Sequence, residues 1–219
     1  MTDTAADLSA PDLTADDLLV LDDPRFTGET VALVTGAASG IGQATAVALA
    51  ANGLTVVGAD IDTDGMAETA ALVDEVDAPG EFRAVETNLT SDADVSAVVE
   101  AAASEGALRY VANVAGVQHI DAIPDFPMEK YDFLLDVMLR APFLVAKQAI
   151  PHIEAADGVG AIANMSSVHG HYATQRKPAY ITAKHGITGL TRAIAAEGGG
   201  TLRSFSVSVG YVLTPLMVD

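Results

Sequence analysis

Residues Thr30 to Asp60 read TVALVTGAASGIGQATAVALAANGLTVVGAD, and this stretch decides the fold. Thr30 to Thr35 is a continuous apolar run of strand length, suited to burial on both faces of a parallel sheet. It passes directly into Thr35-Gly36-Ala-Ala-Ser39-Gly40-Ile41-Gly42, and a helix follows from Ile41 to Asn52. Gly53 stops that helix. Leu54 to Ala59 is a second apolar strand, and Asp60 ends it. Strand, glycine-rich turn, helix and strand make a βαβ unit, because parallel neighbours need a crossover connection. Glycines at a strand-to-helix turn let the backbone approach a pyrophosphate, whose charge faces the helix N-terminus. Asp60 is placed to bind the ribose hydroxyls of a dinucleotide. Asp62 and Asp64 follow, with no Arg or Lys nearby to receive a 2′-phosphate, so the charges favour NAD over NADP.

Outward from this unit the alternation continues. A helix at Asp64–Val76 precedes a strand at Glu81–Glu86, and a helix at Asp92–Ser104 precedes a strand at Leu108–Val114. After Ala115-Gly116, a loop through Pro127 leads to a long helix from Met128 to about Glu154, which Pro142 bends. A strand of small and apolar residues starts at Val159, Pro178 opens a further helix, and Arg203–Val209 is the last strand. The pattern predicts a doubly wound parallel sheet, the Rossmann fold, in one domain over 28–219. Residues 1–27 form a polar, Asp-rich N-terminal extension.

The strand from Val159 ends at Ser166-Ser167, and the helix opened by Pro178 carries Tyr180 and Lys184, four apart and on one face. A hydroxyl, a phenol and an amine brought together can move a proton on and off an oxygen.

Composition narrows the setting. The net charge is −19, from 30 acidic and 11 basic residues, which repels nucleic acid and anionic membranes. Such a surface resembles halophilic proteins, which stay soluble where salt screens self-repulsion. The chain has no cysteine, which excludes disulfides, thiolate catalysis and zinc-thiolate sites, and no metal site is read. With no signal-like segment and no apolar run of membrane-spanning length, the expected location is cytoplasmic.

Taken together, Thr35-Gly36-Ala-Ala-Ser39-Gly40-Ile41-Gly42, Asn113-Val-Ala115-Gly116, Ser167 and Tyr180-Ile-Thr-Ala-Lys184 resemble the classical short-chain dehydrogenases/reductases. The interval of thirteen from Ser167 to Tyr180 matches that family. The resemblance implies Ser167, Tyr180 and Lys184 as catalytic residues. It implies a cofactor site of Gly36, Ser39, Gly40, Ile41, Gly42, Asp60, Asn88, Leu89, Asn113, Ala115, Gly116, Tyr180, Lys184, Gly210 and Val212. Within the family, Gln118-His, Asp125-Phe-Pro127, Ser166-Ser-Val-His169-Gly and Gly210-Tyr-Val-Leu-Thr-Pro-Leu216 are similar to D-3-hydroxybutyrate dehydrogenases. That group holds its substrate carboxylate with residues matching Gln118, His169 and Lys177, beside Ser167 and Tyr180. The implied reaction is NAD-dependent oxidation of D-3-hydroxybutyrate to acetoacetate. Tyr180 acts as the base, Lys184 favours its phenolate, and Ser167 stabilises charge on the substrate oxygen. The alternatives are another NAD-linked member acting on a sugar acid or a 3-oxoacyl substrate, or a non-catalytic nucleotide-binding truncated copy.

Some positions depart from the family pattern. Met138 stands where the long helix usually carries an Asn supporting a proton-relay water, Val114 replaces a second Asn, and Asn88 replaces an Asp. Phe205 and Val209 replace the usual Asn and Pro of the last strand. The family also continues past the point matching Asp219, with a substrate-covering lid, a last helix and a seventh strand. The expectation is therefore a C-terminally truncated domain whose sixth strand is an exposed edge. When full length, the resemblance implies a homo-oligomer, a dimer or homotetramer, built through the two long helices.

Overall fold

The computed structural model describes residues 14–214. Six parallel strands form one sheet in the order β3-β2-β1-β4-β5-β6. They are β1 Thr30–Thr35, β2 Thr55–Asp60, β3 Glu81–Glu86, β4 Ala107–Asn113, β5 Gly160–Ser167 and β6 Leu202–Val209. The intervening helices are α1 Gly40–Ala51, α2 Thr63–Glu75, α3 Asp92–Ser104, α4 Met128–Leu135, α5 Ala141–Ala155 and α6 Pro178–Glu197. This is the Rossmann order, with a crevice where connections leave β1 and β4 in opposite directions. The boundaries agree with the alternation read above to within about one residue, as terminal fraying permits.

Every residue of β1 is buried, because the strand lies mid-sheet between two helical layers. On one face Val31, Leu33 and Val57 pack with Val98, Val145 and Ile153. On the other, Ala32, Val34 and Val56 pack with Val47, Met66 and Val73. Alternate strand residues thus supply two separate cores, as a period of two requires. Polar side chains close the helix starts. Asp62 accepts from the Gly65 N–H at 3.1 Å ahead of α2, and Ser91 from the Asp94 N–H at 3.3 Å ahead of α3.

The long helix between β4 and β5 is interrupted before Pro142 rather than bent at it. Residues Asp136–Arg140 form a π turn, and the Ala141 N–H donates to the Asp136 carbonyl. Pro142 offers no N–H to the Met138 carbonyl, and its ring would collide with that carbonyl in a regular α-helix. One wide turn accommodates both.

The described part of the N-terminal stretch docks on the domain. Asn52, at the end of α1, donates to the Leu19 carbonyl at 2.9 Å and accepts from the Leu21 N–H at 2.7 Å. Phe26 meets the Tyr110 ring edge-on at 5.9 Å.

At the opposite side, burial alternates along β5 and β6. Ala161, Ala163 and Met165 pair with Arg203, Phe205 and Val207 on one face, where Phe205 is 51% and Val207 42% exposed. Among the described residues no further strand pairs with β6, so it is the sheet's edge, as the sequence leads one to expect. No helix of the described residues is long and apolar enough to cross a membrane.

Candidate active site

A cleft of about 340 Å³ opens at the carboxyl ends of the central strands, within the size range of small-molecule sites. Its floor is the turn between β1 and α1. Gly36 has φ +72°, and a Cβ on it would lie 2.7 Å from the Ala115 Cα. A Cβ on Gly42 would lie 1.8 Å from the Gly36 carbonyl oxygen. Glycine is thus required at both positions for β1, β4 and α1 to converge. Thr35 completes the convergence, its hydroxyl accepting from the Val114 N–H at 3.1 Å and more weakly from Ala115 at 3.4 Å.

Gly36, Ser39, Gly40, Ile41 and Gly42 line the cleft, and the start of α1 carries no acidic residue to oppose an anion. Asp60 lines it from the end of β2, with Asn88, Leu89, Ala115 and Gly116 farther along. The Asp60 carboxylate accepts from the Ala38 N–H at 3.2 Å and the Asp62 N–H at 3.1 Å, which ties it to the glycine turn. Asp60 and Lys184 are the charged residues among those described that line the cleft.

Three expected cofactor residues lie elsewhere. Asn113 sits beneath the cleft, buried, its amide donating to the Asn164 side chain at 2.9 Å while its own Oδ1 has no partner. Gly210 and Val212 are exposed beside the cleft, which Val209 and Thr214 line instead. Thr87, Val117, Phe133 and Val137 also line it. None carries a signal in the sequence, since they reach the site by packing rather than by motif.

Ser167, Tyr180 and Lys184 come together. Tyr180 and Lys184 share a face of α6, and the Lys184 Nζ lies 5.5 Å from the centroid of the Tyr180 ring. Lys184 is only 3% exposed, and burial lowers its pKa from 10.5 to about 8. Its Nζ donates to the Met165 carbonyl at 2.7 Å. Burial raises the Tyr180 phenol, and the nearby Ser167 hydroxyl draws it partly back. In this arrangement the ammonium is directed at a carbonyl and not at the phenol oxygen. Met138 is buried with Leu134, Ala179 and Ala183.

The two serines that end β5 part company. Ser166 is fully buried, with its hydroxyl 3.1 Å from that of Thr188, so it serves the packing of β5 on α6. Ser166 nonetheless borders the cleft, whereas Ser167 is 4% exposed and turns to the loop that follows β5. Its hydroxyl accepts from the His169 N–H at 3.2 Å and lies 3.4 Å from His169 Nδ1.

His169 is buried, edge-on to Tyr180 at 5.8 Å, and its Nε2 lies 2.9 Å from the Thr174 hydroxyl. Burial lowers its pKa, and the charge of Lys177 lowers it further. Gln118 is half-buried on the loop after β4. That loop meets the Lys177 loop where the Asp121 N–H donates to the Arg176 carbonyl at 2.9 Å. Neither the Lys177 ammonium nor the Gln118 amide bonds another described residue. Thr174 escaped the sequence reading, because nothing local links it to a histidine five residues earlier.

Comparison with known proteins matches residues 30–219 to the short chain dehydrogenase family. The chain is 39% identical to the cyclohexanol dehydrogenase of Acinetobacter sp. (strain SE19), over 86% of this chain and 75% of that protein. It is 36% identical to the D-beta-hydroxybutyrate dehydrogenase of Cupriavidus necator, over 88% of this chain and 74% of that protein. Among solved structures, levodione reductase superposes with a TM-score of 0.82 at 30% identity, covering 87% of this chain and 74% of the other.

Proposed function

The chain belongs to the short chain dehydrogenase family and is a dehydrogenase of alcohols or hydroxy acids, and from that premise we propose that it oxidises D-3-hydroxybutyrate to acetoacetate with NAD. The observation that carries this reading is Lys177. An otherwise uncommitted ammonium three residues before Tyr180, whose charge is felt by His169, suits a substrate with a carboxylate, and Gln118 adds a donor from the facing loop. The cyclohexanol dehydrogenase similarity supports a second reading, a neutral alcohol, for which that charge has no partner.

The glycine turn, the start of α1 and Asp60 fit a dinucleotide, with Asp60 opposing a 2′-phosphate. When bound, that cofactor supplies the hydride acceptor. The residues of the chain do the rest. Tyr180 takes the hydroxyl proton as its carbon is oxidised, and Ser167 donates to the same oxygen. Lys177 and Gln118 hold the carboxylate and so orient the reacting carbon. His169, the third member of the expected anchor, would reach a carboxylate only by releasing Thr174.

A homo-oligomer belongs to the same reading. Leu135, Leu139, Phe143 and Leu190 line an apolar groove on the long helices, and a monomer by light scattering at assay concentration would remove this part.

The decisive experiment is Lys177→Ala. Losing a charged hydrogen bond, about 1.5–3 kcal/mol, should lower kcat/KM for 3-hydroxybutyrate by about ten- to a hundredfold. A neutral ester of the substrate and the cofactor Kd should change little. Equal losses with acid and ester, or none, would leave the carboxylate reading without support.

A further inference from the structure

The base of a bound dinucleotide has a defined place in the cleft. With the pyrophosphate at the start of α1 and the ribose hydroxyls on Asp60, the purine lies beyond Asp60. There Ile61, Thr87, Asn88 and Leu89 form the walls. Ile61 and Leu89 offer apolar side chains. Thr87 is 1% exposed, and its hydroxyl donates to the Val85 carbonyl at 2.9 Å. Asn88 is therefore the side chain left to read the polar edge of the base. Its amide is fixed from behind, where Oδ1 accepts from the Thr90 N–H at 3.0 Å and from the Thr90 hydroxyl at 2.8 Å. A backbone N–H can only donate, so the atom it meets is the amide oxygen and not the nitrogen. Both lone pairs of that oxygen are then filled. The NH2 group bonds no other described residue and is the part left for a ligand. The neighbouring Leu89 N–H is likewise unpartnered among the described residues. This end of the cleft thus presents two adjacent donors, and its side chains leave no free acceptor.

We infer that Asn88 makes this chain indifferent to the amine of adenine, so that a dinucleotide carrying a 6-oxo purine, hypoxanthine, binds about as well as NAD. Adenine presents an acceptor at N1 and a donor at its 6-amino group. Hypoxanthine presents the reverse, a donor at N1–H and an acceptor at O6. Against two adjacent donors each base makes one match and one mismatch. With adenine, the Leu89 N–H meets N1 while the Asn88 NH2 meets the amine. With hypoxanthine, the Asn88 NH2 meets O6 while the Leu89 N–H meets N1–H. An acceptor in place of the NH2 breaks the tie, since adenine then matches twice and hypoxanthine not at all. Strong discrimination between such bases needs a group that hydrogen-bonds one and is left unpaired by the other. Asn88 does not supply it while Thr90 holds its oxygen. The inference rests on the cleft holding a dinucleotide but not on the identity of the alcohol.

Asn88→Asp tests this directly, because it exchanges the NH2 for an oxygen and leaves the other oxygen to Thr90. Calorimetric titration with NAD and with nicotinamide hypoxanthine dinucleotide reads the ratio of the two Kd values without any turnover. Both ligands carry the same phosphates, so the added negative charge cancels in that ratio. The wild type should bind the two within about threefold of each other. Asn88→Asp should favour NAD by about tenfold or more. A wild type that already prefers NAD by more than about tenfold would overturn the inference, and so would a ratio that Asn88→Asp leaves unchanged. Should the aspartate variant fail to fold, Asn88→Ala removes the donor alone and should move the ratio toward NAD by about threefold. A shift the other way, or none, would overturn the inference as well. If the chain binds NADP in preference to NAD, the role of Asp60 falls and the same comparison is made with the phosphorylated pair. Binding of none of these dinucleotides would defeat the dinucleotide reading itself, and this inference with it.

Discussion

Replacing Lys184 by methionine should change how the stability of the cofactor-free protein depends on pH. Lys184 is 3% exposed, and burial lowers its pKa from 10.5 to about 8. At 1.36 kcal/mol per unit, that displacement corresponds to about 3 kcal/mol of destabilisation while the amine is charged. The sign follows from proton binding. Between pH 8 and 10.5 the unfolded chain holds this proton and the folded chain does not, so stability rises with pH across that window. Below pH 8 the full penalty is present. Methionine has a similar length and no charge, so the variant lacks this rise. It also loses the 2.7 Å bond to the Met165 carbonyl, an effect that does not vary with pH and cancels when slopes are compared. Tyr180, whose phenol is raised by burial, withdraws stability above its ordinary pKa of 10.0 in both proteins, so the comparison is best read below that point. Urea unfolding at fixed high salt, from pH 7 to 10, should show the wild type gaining about 2–3 kcal/mol on Lys184→Met. Parallel curves over that interval would refute the picture of Lys184 as a desolvated cation.

Two further predictions concern the cofactor and the surface. NAD should be used at least about tenfold better than NADP, since Asp60 lines the cleft with no basic residue among those described beside it; Asp60→Ala should narrow the ratio, and equal use by the wild type would remove this role from Asp60. Raising KCl from low concentration to the molar range should lift the Tm by on the order of 5 °C, because the chain carries a net charge of −19 that salt screens; a flat or falling Tm would show that charge repulsion does not limit its stability.

Local spacing in the sequence was enough for the strand and helix alternation, the glycine turn and the shared face of Tyr180 and Lys184. These features depend on periods of two and 3.6 and on the conformations open to glycine, and both are properties of a short stretch of chain. The interval from Ser167 to Tyr180 singled out one of two adjacent serines, the one whose hydroxyl is not taken up by Thr188. What the sequence could not settle was which distant groups would meet. The β4–β5 register sets Asn113 beside Asn164, and the packing of β5 on α6 commits Ser166 to Thr188. The turn after β5 brings Thr174 back onto His169, and the π turn before Pro142 presents Met138 to α6. Apart from the local Thr174 turn, each of these is a contact between segments whose separation along the chain says nothing about their distance in space. Only the assembled sheet and helices bring them together. The sequence therefore named candidate residues for the chemistry, and the tertiary structure decided which of their polar atoms remain free for a ligand and which are already bonded.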